Sequence, residues 1–248
     1  MPLTIHQFPC LSDNYGFLVR DAESGRVACI DTPDAAAIIA AAEARGWGID
    51  LVLNTHWHPD HAGGNAAIKA RFGAELIGPR EVLAHYPLDR EVGDGDTVAL
   101  GGTQFAVLDT GGHTLGHISY YDAADGVVFV GDTLFPLGCG RLFEGTPQQM
   151  WASLSRLAEL PAETVVYSAH EYTLANGRFA LSVDPAPDLA ARMAQVRAAR
   201  ERGEPTVPTT IAAERATNPF LRAPLLSAEH DPAAAFAELR ALKDNFKG

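Results

Sequence analysis

The stretch Thr55-His56-Trp57-His58-Pro59-Asp60-His61 decides the reading of this chain. Leu51, Val52 and Leu53 before it read as a buried strand, so the cluster sits where that strand ends. His56 and His58 are two apart, which in extended chain sends both imidazoles to one side. Asp60 and His61 follow in the turn and swing toward a second point. Such imidazole and carboxylate donors suit zinc, iron or manganese. Four of them this close suggest two metals rather than one closed structural site.

Working outward, three later segments carry donors past predicted strand ends. Gly112-His113-Thr114 follows a strand over Gln104–Leu108. Gly131-Asp132-Thr133 follows Val127–Val130, and Ala169-His170-Glu171 follows Thr164–Tyr167. Further strands are expected at Tyr15–Arg20, Arg26–Ile30, Thr97–Leu100 and His117–Tyr121. Helical patterns run over Asp34–Arg45, Asn65–Phe72 and Pro147–Glu159, the last with Thr146 as cap and Pro147 at its first position. Interleaved strands and helices predict two sheets with helices packed outside them. Ends of successive strands can then converge on one edge, where sites form.

Composition shifts after Tyr172. Strand signals vanish, and Asp188–Arg202 and Pro232–Asp244 read as amphipathic helices joined through the proline-punctuated Gly203–Pro208. The expected division is residues 1–172 and a helical domain over 173–248.

Bulk properties exclude several classes. The chain has 248 residues, 47% of them hydrophobic, enough for a full core. Its net charge of −12, from 19 basic and 31 acidic residues, argues against a nucleic-acid partner. Cys10, Cys29 and Cys139 form no C-x-x-C, so a reducing compartment fits better than a disulfide framework. Met1–His6 lacks the basic start and apolar run of a signal peptide, and no stretch approaches the ~20 apolar residues of a membrane span. A soluble, cytoplasmic protein, monomeric and without membrane contact, is expected. His6, His85 and His230 read as structural or exposed. His117, four residues past His113, reads as a packing or ligand-supporting residue, and Asp31 either orients a ligand histidine or caps a turn.

The arrangement H-x-H-x-D-H, with a later His, Asp and His, resembles the metallo-β-lactamase superfamily. That resemblance implies a four-layer αββα sandwich with a small C-terminal all-helical domain. It makes His56, His58 and His113 ligands of a first metal, and Asp60, His61 and His170 ligands of a second. Asp132 becomes the bridging carboxylate. Two divalent ions per chain are expected, zinc foremost, with iron or manganese as alternatives. A metal lowers the pKa of water toward about 7, giving a nucleophile without serine or cysteine. The resemblance places that hydroxide between the metals, held by Asp60 and Asp132.

Ser12-Asp13-Asn14-Tyr15, Cys139–Thr146, His170-Glu171-Tyr172-Thr173 and Asn218–Arg222 narrow this further. They are similar to glyoxalase II, the hydroxyacylglutathione hydrolases, from residue 3 to Lys243-Asp244. The implied reaction is hydrolysis of S-(2-hydroxyacyl)glutathione thioesters, typically S-D-lactoylglutathione to D-lactate and glutathione. This is the second step of methylglyoxal detoxification. The implied substrate-binding residues are Arg141, Phe143, Tyr172, Arg240 and Lys243, beside the ligand His170. Glutathione is a net anion, so cations here make sense on an acidic protein. The family often has lysine at the position of Arg141 and tyrosine at that of Phe143. A thiol with pKa near 8.5 leaves readily as its anion, so neither Glu171 nor Cys139 needs a catalytic role. The rival readings are a persulfide dioxygenase with a single iron, a nuclease of the superfamily and a non-catalytic binder.

Overall fold

The computed structural model describes residues 3 to 247; Met1 and Pro2, part of the segment read for a leader, lie outside them. Contacts divide the chain into two compact units, one of residues 1–109 with 116–131, the other of 110–115 with 132–248.

The first unit holds two sheets. One has the order β1 (Leu3–Cys10), β2 (Asn14–Asp21), β3 (Val27–Ile30), β4 (Leu51–Leu53), β5 (Glu75–Gly78) and β6 (Arg90–Glu91). Pairing is antiparallel from β1 to β3 and parallel from β3 to β6. Its helices are α1 (Ala35–Ala44), the single turn α2 (Pro59–Ala62) and α3 (Asn65–Phe72). Ile38 of α1 and Ile68 of α3 pack with Leu18, Cys29, Val52 and Leu76 in one buried cluster. The Asp34 carboxylate accepts from the amides of Ala36 and Ala37, capping α1.

The other strands of this unit are β7 (Thr97–Leu100), β8 (Thr103–Asp109), β9 (Ile118–Asp122) and β10 (Val127–Gly131), antiparallel neighbours in turn. Phe129 of β10 meets Phe17 of β2 edge-on at 5.8 Å, which joins the two sheets through their inner faces. The Tyr120 hydroxyl donates to the Asn54 carbonyl at 2.9 Å, a second link next to the histidine cluster.

The second unit is mostly helical. It holds the short hairpin β11 (Leu134–Phe135) and β12 (Gly138–Cys139), α4 (Pro147–Ala158), β13 (Val165–Ser168), α5 (Thr173–Val183) and α6 (Pro187–Glu201). Then come β14 (Thr209–Thr210), α7 (Ile211–Thr217), α8 (Ala223–Leu226) and α9 (Pro232–Asp244). Leu137, Ala180, Leu189 and Met193 form its buried cluster.

Among the elements that the sequence reading lacked, three show why. β1 is a half-buried edge strand without clean alternation; its eight-residue pairing with β2 makes it a strand. Strand structure does not end at Tyr172, because Thr209–Thr210 pairs with Val165 and Val166. α5 runs through Asn176-Gly177, a turn signal by composition. There a Cβ at Gly177 would sit 1.9 Å from Met193 Sδ, so the glycine serves the close approach of α6 rather than a turn.

Candidate metal centre

Each unit carries its own set of donors. In the first, the chain leaves β4 through Asn54 and Thr55 and presents His56, which is fully buried. His56 Nε2 lies 2.9 Å from His58 Nδ1, with the rings edge-on at 4.7 Å. The side-by-side placement expected of the H-x-H pair is therefore present, although these residues are irregular rather than strand. Pro59 opens α2, so Asp60 and His61 stand on one helical turn instead of a loose turn. The His61 ring lies 4.0 Å from that of His56, and its Nε2 is 3.6 Å from Asp60 Oδ2.

Asp31 fixes this arrangement. It sits at φ +54°, past the end of β3. Its carboxylate accepts from the Thr55 amide at 2.7 Å and hydroxyl at 2.8 Å, and lies 2.8 Å from His61 Nδ1. Both roles considered for it, orienting a histidine and tying a turn, are filled at once. With Nδ1–H donated to Asp31, a neutral His61 directs its Nε2 lone pair toward the Asp60 carboxylate. Two lone pairs facing each other call for a cation between them.

His117 stacks on His56 at 4.8 Å, a packing role as expected. A Cβ at Gly131 would meet His117 Nε2 at 2.7 Å and Thr55 Oγ1 at 2.5 Å, so only glycine fits behind these rings. Asn14 donates to Asp60 Oδ2 at 3.0 Å. The residues missed this contact, since nothing in Ser12–Tyr15 alone marks a carboxylate partner. His85 stacks on Trp57 at 4.1 Å, and His6 faces Arg45 at 2.9 Å.

In the second unit the donors come from separated segments. Gly112, at φ +140° and 2.8 Å from the Met150 backbone by its would-be Cβ, swings His113 inward. His113 Nδ1 lies 2.8 Å from the Arg141 carbonyl, which only an N–H can satisfy. Its Nε2 then faces Asp132 Oδ2 at 3.3 Å. His170 Nε2 faces the other oxygen of the same carboxylate, Oδ1, at 3.4 Å. Asp132 thus presents one oxygen to each of two histidines. Its main chain is pinned as well: a Cβ at Gly140 would fall 2.0 Å from the Asp132 carbonyl.

A cavity of about 390 Å³ opens beside these donors, lined by His113, Asp132, Phe135, Cys139, Arg141, Phe143, Tyr172, Asn176, Arg240 and Lys243 among others. Tyr172 stacks flat on His170, 4.7 Å apart at 2°. Phe143 lies edge-on to His113 at 5.2 Å and is 61% exposed, an unusual state for so large an apolar ring. All the residues expected at the substrate are thus either on this wall or, for His170, stacked against it. The hairpin β11–β12 that carries Phe135 and Cys139 is held from behind. Asn218 Nδ2 donates to the Phe135 and Gly138 carbonyls at 3.1 and 2.9 Å, and Glu214 accepts from the Leu137 amide at 2.8 Å. Glu171 accepts from the Thr206 amide at 2.8 Å and pairs with Arg200, a structural role. Burial pushes the Cys139 thiol up to about 11, against the opposing pull of Arg240.

The metallo-β-lactamase superfamily model matches residues 29–170, and the hydroxyacylglutathione hydrolase C-terminus model matches 171–246. The chain is similar to a hydroxyacylglutathione hydrolase of Maricaulis maris, 57% identical over 98% of this chain and 99% of that one. This chain belongs to the hydroxyacylglutathione hydrolases of the metallo-β-lactamase superfamily. Another such hydrolase, from Erythrobacter litoralis, is 56% identical over 98% of this chain and 100% of its own. Among solved structures, ETHE1 from Myxococcus xanthus is similar with a TM-score of 0.71 at 26% identity, covering 99% of this chain and 92% of that one. A di-iron-bound form of TTHA1623 gives 0.63 at 26% identity, over 88% and 99%. The fold is the α/β sandwich of this superfamily with a small C-terminal helical domain. Its histidine and aspartate donors suit a divalent metal.

Proposed function

We propose that this chain hydrolyses S-(2-hydroxyacyl)glutathione thioesters, with S-D-lactoylglutathione as the typical substrate, giving D-lactate and glutathione in the glyoxalase pathway. The observation that carries the reading is the cavity wall on which Arg141, Arg240 and Lys243 stand beside the donors His113 and Asp132. A cationic wall for an anionic tail adjoins the groups that act on the acyl carbon.

Two divalent ions complete the reading, zinc foremost. His56, His58 and His113 hold one, Asp60, His61 and His170 the other, and Asp132 serves both. The paired faces of the Asp132 carboxylate support this, as does the di-iron form of the similar TTHA1623. Bound there, such ions lower the pKa of water and polarise a carbonyl.

The chain's own residues do the rest. Asp60 and Asp132 would hold the hydroxide that such ions supply. Arg141, Arg240 and Lys243 take the carboxylates of the glutathione tail, and Tyr172 and Phe143 bracket it. The thiolate leaves without a general acid, so the buried, high-pKa Cys139 takes no part. The division near residue 172 leaves every donor in the first part, with Arg141, Phe143 and Tyr172, and gives the helical part Arg240 and Lys243. Among the described residues no helix is long and apolar enough to cross a membrane. A cytoplasmic monomer without nucleic-acid partner remains part of the reading.

The test is thiol release from S-D-lactoylglutathione by metal-loaded enzyme, beside the same acyl group on coenzyme A. Fast turnover of the glutathione ester supports the reading. Equal turnover of both sinks the glutathione assignment, and oxygen uptake without hydrolysis favours the single-iron dioxygenase.

A further inference from the structure

The cation-lined wall carries one carboxylate of its own. Asp244 Oδ1 lies 2.8 Å from Arg240 Nη2, one turn earlier on α9, and 3.6 Å from Arg141 Nε. Arg240 is 6% exposed, and its Nη1 donates to the Cys139 carbonyl at 3.3 Å. The guanidinium is therefore fixed from two sides before any ligand arrives. Lys243 is committed too, its Nζ donating to the Ala175 carbonyl at 3.0 Å.

A guanidinium binds phosphate best with two parallel N–H groups free as a fork. Asp244 takes one N–H of Arg240 and stays within ion-pair range of Arg141 Nε, so its charge lies close to both arginines. A ligand that brings a lone carboxylate to this wall uses the N–H groups that remain. A ligand that brings clustered phosphates finds the Arg240 fork already in use and meets a like charge at close range.

We propose that Asp244 is a specificity-determining positioning residue: through Arg141 and Arg240 it fits the wall to a carboxylate-bearing thioester and against a polyphosphate-bearing one. The proposal rests on the hydrolase reading above.

The experiment measures kcat and KM for S-D-lactoylglutathione and D-lactoyl-coenzyme A with the wild type, Asp244→Asn and Asp244→Glu. In D244N, kcat for the glutathione ester holds, its KM rises, and KM for the coenzyme A ester falls. The ratio of the two kcat/KM values then moves toward coenzyme A by about tenfold, the effect of removing one like charge at close range. D244E keeps the charge and the wild-type ratio. Pyrophosphate inhibits D244N more strongly than the wild type. A merely structural loss scales both substrates together, so an unmoved ratio, or D244E shifting as far as D244N, overturns the proposal. Equal inhibition by pyrophosphate overturns it as well. A wild type inactive on the glutathione ester overturns the hydrolase reading together with this one, whereas an active wild type with an unmoved ratio overturns this one alone.

Discussion

The two units present their donors by opposite means. The first packs His56, His58, Asp60 and His61 into one strand end and one helical turn, and locks them with a side chain, Asp31. The second gathers His113, Asp132 and His170 from distant positions and locks His113 with a main-chain carbonyl. A side-chain lock is one substitution away from failure. A carbonyl lock survives any change of the residue that bears it. The first set is thus compact and fragile in its support, the second dispersed and sturdy.

The largest effect should come from the carboxylate that both histidines of the second set face. Asp132→Ala is expected to take thiol release to background and to lower bound metal, measured by elemental analysis. Retained metal with full activity would break the comparison, because it would leave the second set without a function.

Asp31→Asn tests the fragile lock. Asparagine tolerates the positive φ and still accepts from the Thr55 amide, so the fold should hold. Its amide no longer accepts the His61 proton, and metal affinity or activity should fall about 10–100-fold. The matching change in the second set, Arg141→Gln, leaves the carbonyl on His113 in place. Its metal content should stay at the wild-type level while KM for the glutathione ester rises.

Phe143→Tyr restores a hydroxyl to an exposed ring on the cavity wall. One added hydrogen bond of about 0.5–1.5 kcal/mol predicts a KM lower by a few-fold with kcat unchanged. A change in kcat instead would place the ring at the reacting carbon.

The smallest effect concerns stability in acid. Asp21 accepts from the Ser24 hydroxyl and amide and from the Thr103 hydroxyl, which holds its carboxyl down to about 2. A depressed carboxyl contributes stability that is present above its unfolded pKa of about 3.9 and fades as pH falls toward the folded value. Thermal unfolding of Asp21→Asn should therefore differ from the wild type at pH 6 and converge with it near pH 2.

The same contrast governs what sequence could reveal. The first donor set stands in one short stretch, so spacing alone exposed it. All eight strands read from the residues match an observed strand within about one residue at each end. His113 and Asp132 are single residues in ordinary glycine-flanked turns and His170 a single residue past a strand end, and the family resemblance joined them. β1, β14 and α5 were illegible for tertiary reasons: pairing partners made the strands, and a methionine sulfur explained the helical glycine. Asn14 and Asp244 were out of reach because each acts through a partner far away in sequence or ambiguous in charge.

The Cys139 wall carries a consequence for durability. A chamber that handles thiols meets oxidised thiols as well, and a reactive cysteine inside it would be trapped as a mixed disulfide. Burial holds Cys139 at about 11, so near neutrality it stays protonated and a poor nucleophile. The chamber is lined with sulfur that does not exchange, and it stays open when the surrounding thiol pool turns oxidising.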